Sequence, residues 1–146
     1  VRAAALLTAA VLGLAVFGCG GSDESTATVG NVTPASLGYT KGLSGAERDA
    51  AAAVADYNAA IVNGDGTHIC ELTSRSEDAL KACEENLGAV FDPTKSKKQP
   101  DWHLDSVKVS GKQAKITLKA PGAKPEFFTL VNDGGQWKIL VVTNQR

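Results

Sequence analysis

Hydrophobic and polar positions change pattern several times along the chain, and each change marks a different kind of segment. Residues 3–17 are apolar apart from Thr8 and Gly13, with Arg2 as the only charge before them. That run falls short of the about 20 residues a membrane-spanning helix needs. It suits the apolar region of an export signal, so residues 1–18 are expected to be a removable leader. Gly20 to Leu43 shows neither a helical nor an alternating period. Gly, Ser, Thr, Ala and Asn dominate it, with Pro34 and a few charges, Asp23, Glu24 and Lys41. Residues 19–43 are therefore expected to act as a flexible tether with a reach of roughly 25–30 Å.

Periodic order is expected from Ser44, so that residues 44–146 form the folded domain. Ser44 and Glu47 have the S-x-x-E spacing of a capping box, in which each side chain satisfies an amide of the first helical turn. An alanine-rich helix follows through Val62, with Ala50, Ala53, Val54, Tyr57 and Ile61 along one face. Asn63-Gly64 is a stop signal. Asp65 is placed to cap a short second helix, Gly66 to Leu72. Ser74 and Glu77 repeat the capping-box spacing and predict a third helix over roughly 75–90, with Leu80, Cys83 and Leu87 facing inward.

After a polar loop between Asp92 and Asp101 the period becomes two. Leu104–Val109 and Ala114–Lys119 alternate on either side of Gly111-Lys112. Glu126–Asn132 and Gln136–Thr143 flank Asp133-Gly134-Gly135. Four strands joined by short turns predict an antiparallel meander. Helices first and strands after make this an α+β domain with helices packed on one face of a four-stranded antiparallel sheet.

Composition narrows the function. A formal net charge of −1 argues against a nucleic-acid binder, which would need a basic face. The 3 cysteines, Cys19, Cys70 and Cys83, are an odd number for an exported chain. The stretch Leu14-Ala15-Val16-Phe17-Gly18-Cys19 resembles the lipobox of bacterial lipoproteins, in which the cysteine receives a diacylglycerol and becomes the new N-terminus. Phe17 departs from that pattern, which favours a smaller residue. The resemblance implies a lipid anchor on Cys19 and a location on the extracytoplasmic face of the cell membrane. Parity then leaves Cys70 and Cys83 to form a disulfide in an oxidising compartment.

The run from Ala52 through Tyr57 and Asn58 to Asn63-Gly64-Asp65-Gly66, then His68-Ile69-Cys70-Glu71-Leu72-Thr73, resembles the start of nuclear transport factor 2-like domains, in particular those of small lipoproteins from high-GC bacteria. Gly134-Gly135-Gln136-Trp137-Lys138-Ile139 resembles their last hairpin. The resemblance covers residues 44 to 143 and implies a cone, with a curved sheet wrapped around helices and a pocket at its open end. It reports fold more than chemistry.

Within that family Tyr57, eight residues before Asp65, matches a tyrosine that donates a hydrogen bond to an oxyanion in ketosteroid isomerase-like members. Asp105 and Glu126 are the carboxylates available on strands, in contexts unlike the family's acid–base motifs. His68 and His103 are the only histidines and belong to no set of three or four ligands at recognisable spacing, since His68 and Cys70, two apart on a helix, point to different sides; no nucleophile motif of the Gly-x-Ser-x-Gly kind is present. Lys95, Lys97 and Lys98 read as a solvated loop, and Trp137 as part of the core or rim. The expectation is a non-enzymatic module, without cofactor or metal, that binds a small apolar ligand or an envelope protein, with Tyr57 and Trp102 lining the pocket. The alternative is an isomerase or dehydratase using Tyr57.

Overall fold

The computed structural model describes residues 32–90 and 100–144. The leader, Cys19 and the Lys95, Lys97 and Lys98 cluster lie outside the described residues. A 3-10 turn at Pro34–Leu37 comes first. It is followed by helices α1 (Gly45–Asn63), α2 (Gly66–Thr73) and α3 (Glu77–Val90), then strands β1 (His103–Ser110), β2 (Gln113–Lys119), β3 (Glu126–Asp133) and β4 (Gln136–Asn144). The strands form one sheet in the order β1-β2-β3-β4, antiparallel throughout. The α+β class and the order of elements are those expected.

Alternation along the strands sets the core. Ala114, Ile116 and Leu118 of β2, Phe128 and Leu130 of β3, and Trp137 and Ile139 of β4 are buried against Ala50, Ala51, Ala53, Val54 and Ala55 of α1. The alanines let the helix backbone lie close to the sheet, so this small core closes with few aromatics. The apolar run Ile139-Leu140-Val141-Val142 does not alternate, and a bulge resolves it. Thr129 pairs with Val141 and Leu130 with Ile139, which leaves Leu140 as the extra residue. Ile139 stays buried, while Leu140 and Val141 are 43% and 49% exposed. The β3–β4 turn is two glycines, Gly134 at φ 60° and Gly135 at φ 91°, between the paired Asp133 and Gln136. Two successive positive φ values are what a tight hairpin of this hand requires.

Three local expectations are corrected. The tether does not extend to Leu43, because the packed domain has begun by Val32. The Val32 N–H donates to Asn63 Oδ1 at 2.9 Å, and Asn63 Nδ2 donates to the Val32 carbonyl at 2.8 Å. Tyr39 is only 2% exposed and belongs to the core. Ser44 is the N-cap of α1 but makes no side-chain capping bond. Gly45, at φ 55°, turns the chain out of helical geometry just where the hydroxyl would have to reach back. Ser74 does not open α3, since its N–H closes α2 on the Cys70 carbonyl at 2.9 Å. Ser76 Oγ instead accepts from the Ala79 N–H at 3.2 Å. Asp65 caps α2 as expected, accepting from the His68 N–H at 3.0 Å, and Gly64 ends α1 in the left-handed conformation.

Among the described residues no helix is long and apolar enough to cross a membrane.

Candidate functional site

Asp49 and Asp56 stand seven residues apart on α1, two turns along one face of the helix. His68 and Glu71 stand three apart on α2, with Nδ1 and Oε2 at 3.1 Å. The β3–β4 hairpin closes over both pairs. Lys138 reaches from β4 to α2, its Nζ donating to the Glu71 carbonyl at 2.6 Å. Arg75 Nε approaches Asp133 Oδ2 at 3.4 Å and ties the start of the α2–α3 region to the same hairpin. Between α1, α2 and the hairpin lies a cleft of about 370 Å3 lined by Asp49, Asp56, His68, Glu71, Trp137 and Lys138, among others. A neighbouring cleft of about 410 Å3 shares Glu71 and Lys138 and is lined further by Arg75 and Asp133.

The first cleft has an apolar floor and an acidic wall. Ala52, Ala53 and Leu72 join the buried Trp137 in its lining. Three carboxylates face one lysine, whose ammonium is already engaged by a carbonyl. Asp56 is half-buried, and that burial raises its carboxyl above the usual range, while the nearby His68 works in the opposite direction. A carboxylate held partly out of water lacks compensation for its charge, and a cation beside it would supply it.

The disulfide supports this geometry. Cys70 and Cys83 are joined, with Cα atoms 5.6 Å apart, inside the span a bridge requires. It fastens α2, which carries His68 and Glu71, against α3. Among the described residues no group of His, Cys, Asp and Glu is arranged to hold a metal ion.

Tyr57 and Trp102 are partly buried and pack against the core. The Tyr57 ring meets Phe128 edge-on, with centroids 6.0 Å apart and planes at 78°. Neither residue lines the two clefts above or a third of similar size on the opposite face of the sheet. An aromatic on that helical face is used for packing. Burial, with a smaller effect from Glu126, pushes the Tyr57 hydroxyl up, so it holds its proton. Asp105 is engaged with Lys119 at 2.9 Å, and His103 is exposed at the start of β1. Glu126 pairs with Leu118 across the sheet and so shares its inward face. Burial raises its carboxyl, and a hydrogen bond with Asn144 opposes the rise.

Asp49, Asp56, Glu71 and Lys138 were not singled out from the sequence. The seven-residue spacing of the two aspartates on a helix was the available signal. That the hairpin folds over α2 is a tertiary fact with no local signature.

No family model and no curated protein matches the chain. Among solved structures it is similar to an NTF-2-like protein of unknown function from Silicibacter pomeroyi DSS-3, at 21% identity and a TM-score of 0.44, over 64% of this chain and 91% of that one. A likeness of this degree says nothing about the chemistry of the cleft.

Proposed function

We propose that the protein is an extracytoplasmic lipoprotein, held to the membrane by lipid on Cys19, whose domain is a non-enzymatic module for a small organic cation. The observation that carries the binding reading is the cleft between α1, α2 and the β3–β4 hairpin, where half-buried Asp56 faces an apolar floor that includes Trp137. A positively charged ligand there gains from the carboxylate and, over the indole, from the ring's negative face. Asp49 and Glu71 add to the attraction, and open access suits reversible capture. The apolar leader and the lipobox-like stretch ending at Cys19 support the anchor. The Cys70–Cys83 bridge supports a compartment that oxidises thiols.

A panel of small primary and quaternary amines, each beside a neutral isostere, tests the binding reading through thermal unfolding of the purified protein. A ligand present at 100 times its Kd stabilises by about 2.7 kcal/mol. At least one cation should raise the unfolding temperature while its neutral counterpart does not. If charged and neutral compounds are equally without effect, the reading fails.

A second reading keeps one specific observation. Glu126 faces the interior that Tyr57 borders and acts on its hydroxyl, the pairing an isomerase or dehydratase would use. Turnover lost in both Tyr57→Phe and Glu126→Gln would favour it.

A further inference from the structure

The solvent face of the sheet carries a recess remote from the acidic cleft. Lys108 of β1 and Lys115 of β2 are direct cross-strand partners, and both are exposed. Like charges held opposite one another on antiparallel strands are destabilising, because their Cβ atoms stand only about 4.5–5.5 Å apart. Lys119, further along the same face, shows the ordinary remedy, with Asp105 Oδ1 2.9 Å from its Nζ. Among the described residues neither Lys108 nor Lys115 has such a partner.

The two lysines border a cleft of about 360 Å3 that Ser106, Thr117, Thr129 and Phe127 also line. Register brings these side chains together. Ser106 lies opposite Thr117, Lys115 opposite Thr129, and Thr117 opposite Phe127. Two lysines thus share one recess with three hydroxyl-bearing side chains and an aromatic ring. We infer that this recess binds a phosphate group, free or esterified. A dianion with several oxygens relieves the lysine repulsion and accepts from both ammoniums and from hydroxyls at once, which chloride cannot do. An organic substituent on the phosphate has the Phe127 ring to lie against. The site is on the face opposite α1, so it stands or falls separately from the cation cleft.

Titration of the purified protein with inorganic phosphate, against chloride at matched ionic strength, tests the inference. Backbone amide shifts and thermal unfolding are read for the parent, Lys108→Gln and Lys115→Gln. Saturable shifts are expected at Lys108, Lys115, Thr117 and Thr129, with affinity falling about tenfold or more in each variant, the scale of one hydrogen bond to a charged group. Without phosphate and at low salt, each variant should unfold at a higher temperature than the parent, because the repulsion is gone. General stabilisation by phosphate as an excluded salt acts on parent and variants alike and is thereby separated. Vesicles of phosphatidylglycerol distinguish the source. Vesicle binding lost in the variants assigns the site to a lipid headgroup, and binding of inorganic phosphate alone assigns it to a soluble phosphate. Shifts that do not saturate, or that persist unchanged in both variants, overturn the inference.

Discussion

Asn58 Nδ2 donates a hydrogen bond to the Tyr39 hydroxyl at 3.2 Å, and both residues are buried. The bond joins the segment before α1 to the C-terminal half of α1. It satisfies the one buried polar side chain among the described residues, and it makes Tyr39 part of the fold and not part of a linker. Tyr39→Ala should therefore cost about 3–5 kcal/mol, the range for removing a buried aromatic ring. Asn58→Ala, which leaves the Tyr39 hydroxyl without its partner, should cost about 1–3 kcal/mol. Urea denaturation measures both. A Tyr39→Ala change within about 0.5 kcal/mol of the parent is what a solvent-exposed linker would give, and it would return this segment to the tether.

The disulfide should be a large part of stability in so small a core. Its ends are 13 residues apart, for which chain entropy predicts about 3 kcal/mol. Denaturation with and without reductant, beside the Cys70→Ala/Cys83→Ala double variant, should show that loss in both cases. Two alkylatable thiols in the unreduced purified protein would contradict the bridge.

Much of this architecture is written in local patterns. The strands declared themselves because Ala114, Ile116 and Leu118 alternate with polar residues, and the last turn because two glycines sit between apolar runs. The cysteine pair followed from parity. What the sequence hid was tertiary. Tyr39 lies in a stretch whose Gly, Thr and Ser content reads as linker, and only Asn58, nineteen residues away, gives it a place. That the Tyr57 ring packs in a T-shaped pair with Phe128 of the third strand is equally absent from the local pattern. The cleft acids became neighbours only when Lys138 crossed from the hairpin to α2.

Glu126 gives the stability a pH dependence of known sign. Its carboxyl is raised by burial, so the folded chain retains a proton that the unfolded chain has released. Its favourable contribution is complete below the unfolded pKa and is lost as the pH rises through the folded one. Glu126→Gln cannot ionise, so it should gain stability relative to the parent as the pH is raised from about 4 to about 7. Urea midpoints at the two pH values measure this. A variant that loses ground at neutral pH would mean that the charged carboxylate is stabilised by its surroundings.

The proposed membrane attachment rests on one residue, Cys19. Cys19→Ser should abolish acyl labelling in cells and leave the precursor with its leader uncleaved. Normal processing with release into the medium would remove the anchor from the account without touching the binding cleft.

Asp56 is where the central claim is most exposed. Calorimetric titration of the parent and of Asp56→Asn, with the amine that most raises the unfolding temperature, measures the contribution of its charge directly. The account predicts saturable binding by the parent and an affinity about tenfold or more weaker in the variant, the scale of a hydrogen bond to a charged group. Equal affinities in the two proteins would contradict it.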